Sequence, residues 1–178
     1  MTLNNQVLLT LGASLVLLLA GTHGVRAAPT TSTTTVALHV KFTAPPCSII
    51  PPPEVFLGAM LPGEHSYPAF NIDISCPPGT PVNTALYAEP VGNSLTAGRT
   101  DRVDMSGPAG SSGTPAQLWL AEAGSAVALD GAGSTDTTKQ FCAGNTDRQC
   151  VLTPSTFVSV DTPRGETRAT LRFSIAYP

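Results

Sequence analysis

Residues 169–178, Ala-Thr-Leu-Arg-Phe-Ser-Ile-Ala-Tyr-Pro, alternate apolar and polar side chains so strictly that they read as a half-buried β-strand. Leu171, Phe173, Ile175 and Tyr177 fall on one face of it. With no sequence after Pro178 to lie against it, such a strand is expected to leave a row of backbone N–H and C=O groups unpaired unless another segment joins it. An earlier stretch has the same period. Val36, Leu38, Val40 and Phe42 recur at every second residue, ahead of a Pro45-Pro46-Cys47 break. Whether that early strand covers the chain's own late edge or a neighbour's decides the function.

The rest of the chain excludes long helices. Its 17 Pro and 16 Gly are spread so evenly that no stretch keeps a 3.6-residue apolar period. Short strands and turns fit instead. Phe70-Asn-Ile-Asp-Ile-Ser-Cys76 is the cleanest internal strand, with Phe70, Ile72, Ile74 and Cys76 on one face. Val55-Phe56-Leu57-Gly58, residues 85–88, 117–121, 151–152 and 157–160 give further short strands. Residues 117–121 and 126–129 form a hairpin around a Gly124 turn, and Trp119, out of phase with Leu118 and Leu120, indicates a strand covered on both faces. About seven to nine strands with turns roughly every 8 to 12 residues predict an antiparallel sandwich of immunoglobulin type.

Residues 7–20 are almost wholly apolar, and Val25-Arg26-Ala27 carries the small residues of a signal-peptidase site, so residues 1–27 are expected to be a cleaved leader. The apolar run is shorter than the roughly 20 residues that span a bilayer. One of the nine Lys and Arg lies in that leader, so eight remain against 12 Asp and Glu, a balance that argues against nucleic acid as a partner. The remaining residues suit one domain. In an exported chain the four Cys are expected to be oxidised, and they permit three pairings, of which Cys47 with Cys76 and Cys142 with Cys150 is favoured. A metal site would want Cys-x-x-Cys or a nearby His, and neither is present.

Nothing in the composition assembles chemistry. His65, in the turn-like Pro62-Gly-Glu-His-Ser66, has Ser66 and Asp73 close in sequence, but proximity in sequence is not triad geometry, and an exposed loop histidine is the simpler reading. Asp101, Asp104, Asp130 and Asp136 lack the spacing of a calcium loop, and the Gly-rich runs around Gly107 and Gly131 lack the strand-to-helix context of a phosphate loop. The chain is therefore read as neither an enzyme nor a cofactor carrier.

The order of Pro45-Pro46-Cys47-Ser-Ile, Val55-Phe56-Leu57-Gly58, Phe70-Asn-Ile-Asp-Ile-Ser-Cys76-Pro77, Gln117-Leu118 and a closing Phe173-Ser-Ile-Ala-Tyr177-Pro178 resembles the pilin subunits of chaperone-usher fimbriae, most of all the minor or adaptor subunits of P-type and type 1 pili. The resemblance implies an all-β fold: an incomplete immunoglobulin-like antiparallel sandwich lacking its last strand, with a donor-strand extension over residues 28–44 and the domain over residues 45–178. It implies that a periplasmic pilus chaperone first fills the gap, and that at the outer-membrane usher the extension of a neighbouring pilin subunit replaces it. Val36, Leu38, Val40 and Phe42 would then be the donor side chains, while Leu171, Phe173, Ile175 and Tyr177 would line the acceptor groove and the chaperone contact. The product would be a cell-surface fimbrium of a Gram-negative bacterium that supports adhesion. Two features depart from the pattern. Val40 stands where such extensions commonly have Gly, and the Cys142/Cys150 pair, absent from the general pattern, is expected to staple a loop. The competing reading is a self-complete secreted immunoglobulin-like adhesin or binding module, with residues 36–42 as its own first strand.

Physical chemistry is consistent with strand donation. An added strand gains affinity from main-chain hydrogen bonds and specificity from alternate side chains in pockets. Four buried apolar side chains contribute about 6 to 12 kcal/mol as an upper bound before ordering costs.

Overall fold

The computed structural model describes residues 47–79 and 81–178. The expected donor segment with Val36, Leu38, Val40 and Phe42 lies outside the described residues, as does the expected leader, residues 1–27. Ten strands are present among the described residues, and every pairing between them is antiparallel. They are β1 (Ser48–Ile50), β2 (Gly63–Ser66), β3 (Phe70–Ser75), β4 (Thr84–Pro90), β5 (Val103–Asp104), β6 (Gln117–Glu122), β7 (Ser125–Ala126), β8 (Phe141–Gly144), β9 (Arg148–Val158) and β10 (Leu171–Ala176).

Two sheets result. The larger runs β1-β3-β9-β6-β5, with β2 also on β9 and β7 on β6, and the smaller runs β10-β4-β8. Alternation puts Ile72, Ile74, Leu120, Cys150 and Leu152 of one sheet against Leu86, Ala88 and Phe141 of the other, and these buried side chains form one core. The sandwich expected from the period-two pattern is therefore the fold observed.

β9 departs from the expectation. Residues 151–152 and 157–160 are expected as separate short strands, yet one strand runs from Arg148 to Val158, through Pro154. The proline is tolerated because of where it sits. On one edge β9 pairs with β3 up to Leu152 and with β2 from Ser155, so Pro154 faces the junction between two partners, where its carbonyl accepts the Tyr67 N–H at 2.9 Å. A residue that cannot donate is placed where the ladder is already broken.

The region before β3 is also corrected. Val55-Phe56-Leu57-Gly58 is not a strand; residues 51–62 are irregular, and the strand of this region is Gly63–Ser66, which carries His65. The prolines at 51–53 remove three consecutive backbone donors, so the chain enters a ladder only ten residues later. Trp119 is 8 % exposed between buried Leu118 and Leu120, so β6 is covered on both faces, with the Arg102 guanidinium 3.9 Å from the Trp119 ring centre.

Candidate functional site: the open edge of β10

β10 is an edge strand. Its six residues pair with β4 in continuous register from Leu171↔Pro90 to Ala176↔Ala85, and the ladder extends one step further through Val91 N–H to Thr170 O at 2.8 Å. Its other edge has no partner strand among the described residues. Every second residue of β10 therefore turns its N–H and C=O away from β4, where no described strand meets them.

The side chains report the same vacancy. Leu171, Phe173 and Ile175 all pack against the core, as the alternation predicts, but each is only half-buried, whereas Leu86 and Ala88 on the adjacent β4 are fully buried. Tyr177 continues the register past the end of the strand and is 38 % exposed. The apolar face of β10 is thus less completely covered than that of β4 beside it.

Close to β10 stands β1. It is the end strand of the larger sheet and β10 the end strand of the smaller, and the two come close to each other on the same side of the sandwich. Ile49 of β1 packs partly buried against the same core as Phe173 and Ile175. Toward the other end of β10, Leu57 and Met60 from the irregular 51–62 segment join Met105, Ala116 and Leu118 in a second cluster that takes in Leu171. The site is thus the ladder edge of β10 that has no partner strand among the described residues, together with its apolar face, against which β1 and residues 57–60 pack from the neighbouring sheet and segment. The sequence reading missed the contribution of Leu57 and Met60, which carry no periodic signal once their segment is irregular.

The outer face of the edge is polar. Arg172 and Glu89 form an exposed ion pair at 3.1 Å across β10 and β4. The cleft itself holds no charged cluster suited to catalysis, and among the described residues no group of three or more His, Cys, Asp or Glu is placed to hold a metal. His65, Ser66 and Asp73 are not brought together. The His65 ring nitrogen lies 3.1 Å from the Pro62 carbonyl, while the Ser66 hydroxyl bonds that of Ser155 at 2.8 Å, as expected for neighbours pointing to opposite sides of a strand.

Cys47 is bonded to Cys76 and Cys142 to Cys150. The first bridge ties the start of β1 to the end of β3, where Ser48 pairs with Ser75. The second was expected on a loop. Instead it joins β8 to β9, strands of different sheets, with Cys142 and Cys150 both in the core.

Two solved structures share this architecture. The P pilus rod subunit PapA is 17 % identical, with a TM-score of 0.55 over 75 % of this chain and 99 % of that one. A chaperone-usher pilus structure concerned with rod uncoiling is 18 % identical, with a TM-score of 0.53 over 85 % of this chain and 100 % of that one. No family model and no curated protein matches the sequence. At such identities the likeness is one of fold: an immunoglobulin-like antiparallel sandwich short of one strand, as the motif resemblance implies.

Proposed function

We propose that this chain is a structural subunit of a chaperone-usher fimbria, exported through the periplasm and assembled on the cell surface by donor-strand exchange, without catalytic activity. One observation carries the reading: β10 has an edge with no partner strand among the described residues and a half-buried apolar face near β1, in a fold shared with pilus subunits. An inserted strand satisfies the outward backbone groups and covers Leu171, Phe173 and Ile175 at the same time. Residues 28–44 act as the donor extension, with Val36, Leu38, Val40 and Phe42 entering the groove of the preceding subunit, and residues 45–178 act as the receiving domain. Before assembly the same cleft and Tyr177 engage a periplasmic chaperone, which the neighbouring subunit's extension replaces at the outer-membrane usher. The assembled fibre supports adhesion.

Deletion of residues 31–43 tests the mechanism. The truncated chain is expected to be captured by its chaperone and to bind a synthetic peptide of residues 34–43, yet to fail to attach to a preceding subunit. Normal incorporation of the truncated chain overturns the mechanism. So does a wild-type monomer that melts cooperatively with residues 36–42 paired to its own β10.

A further inference from the structure

The chain passes from one sheet to the other twice at the end of the sandwich where β10 finishes. The crossover from β3 to β4 runs between Cys76 and Thr84, and the turn from β8 to β9 covers residues 145–147. The crossover contains Pro77, Pro78 and Pro81, so three of its residues have no N–H with which to tie it down. Its two ends are held from outside by consecutive residues of the other turn. Asp147 Oδ1 accepts the Cys76 N–H at 2.5 Å. Arg148 Nη2 donates to the carbonyl of Thr84 at 3.0 Å and to its hydroxyl at 2.9 Å.

Arg148 is itself fixed on every nitrogen. Its Nε donates to Cys142 O at 2.9 Å and its Nη1 to Thr146 O at 3.1 Å. The Thr84 hydroxyl passes its own proton on to Gly144 O at 3.2 Å. Gly144 leaves the room: a Cβ there would stand 2.8 Å from Arg148 Cδ and 3.0 Å from Nε. The Cys142–Cys150 bridge closes the base of this turn, and Cys142, in a left-handed conformation at φ 52°, has its N–H held by Glu122 Oε2 at 3.0 Å. Thr84 is buried, and the next residue, Ala85, pairs with Ala176 at the end of β10.

We propose that the stapled 145–148 turn is a clamp that holds both ends of the β3–β4 crossover and so fixes the foot of the β10 edge, with Arg148 as its positioning residue for strand addition. The last part rests on the function proposed above. A planar fork that satisfies two acceptors on one threonine and two carbonyls of its own turn couples the sheets beside the Cys142–Cys150 bridge. The bridge keeps that turn ready in the absence of a donor. It also binds the two disulfides into one unit, since Asp147 grips the backbone of Cys76.

Arg148→Lys keeps the charge and loses the fork. Amide hydrogen exchange in the full chain is expected to speed up at least tenfold at residues 84–86 and 174–177 and to change less than twofold at residues 119–121. The Cys142→Ser/Cys150→Ser double variant is expected to reproduce that local pattern. Gly144→Ala, which displaces the guanidinium without altering it, should do so more mildly and provides the measurement if the first variants fold poorly. A synthetic peptide of residues 34–43 is expected to leave the Arg148→Lys chain at least tenfold faster than wild type. Exchange that is unchanged, or that rises equally throughout the sandwich, overturns the clamp. Equal peptide release with locally faster exchange overturns the positioning role. If wild type takes up no peptide, the proposed function falls while the exchange pattern still judges the clamp.

Discussion

The rings of Phe141 and Phe173 meet edge to face over the middle strand of the smaller sheet, their centres 6.4 Å apart and their planes at 78°. Phe141 is buried and Phe173 is half-exposed on the open edge, so one ring anchors the other at the wall of the cleft. The pair ties Phe173 to the core.

Phe173→Ala is expected to lower unfolding stability by about 2 to 3 kcal/mol, less than a fully buried phenylalanine because part of the ring is already wet. The same change is expected to weaken capture of a 34–43 peptide by more than Arg172→Ala, which lies on the outer face. Urea titration and peptide binding by fluorescence anisotropy check both.

Trp119 is the chain's one tryptophan, and it is buried under the Arg102 guanidinium. Its emission should be blue-shifted in the folded chain and move red on unfolding. Trp119→Ala should destabilise by about 3 to 5 kcal/mol, whereas Arg102→Ala should cost only about 0.5 to 2 kcal/mol. Chemical denaturation followed by circular dichroism separates the two.

The two bridges close loops of different length, with sequence separations of 29 and 8. In the chain-entropy model, loss of Cys47–Cys76 costs about 3.6 kcal/mol and loss of Cys142–Cys150 about 2.6 kcal/mol. Paired Cys→Ser variants measured by urea midpoint are expected in that order. Equal effects would show that the shorter loop contributes through its contacts as well as through chain entropy.

Asp101 has its carboxyl held below the usual carboxylate range, chiefly by the hydrogen bonds it accepts from Arg99 at 2.9 and 2.8 Å. Because the folded pKa is the lower one, the pair's contribution is present above the unfolded value of about 3.9 and disappears as pH falls through the folded value. The pair lies at the surface, so Asp101→Asn should cost no more than about 1 kcal/mol at pH 7. That difference from wild type should shrink in thermal melts as the pH is lowered below the unfolded value, and should shrink in high salt.

Much of this fold was legible in the residues. Period-two alternation marked β3 and β10 nearly to the residue, because each has one face in the core and one in water. Trp119 sat correctly in a strand covered on both faces. The misreadings share a cause. Residues 55–58 have the composition of a strand but follow three prolines, and Phe56 ends 87 % exposed. Gly63–Ser66 has the composition of a turn but becomes a strand because the second half of β9 offers it an edge. Propensity in so short a segment is weaker than the availability of a partner.

By itself, then, the sequence determined that the chain builds an antiparallel sandwich, and which faces of its regular strands point inward, since alternation is a local property read one residue at a time. Only the tertiary structure decided which edges found partners: that β9 could bridge two strands across Pro154, that Asp147 and Arg148 would grip the ends of a distant crossover, and that β10 would stand near β1 with no described strand on its outer edge. Hydrogen bonding between strands joins residues far apart in the chain, and no local pattern specifies which donor a free edge will meet.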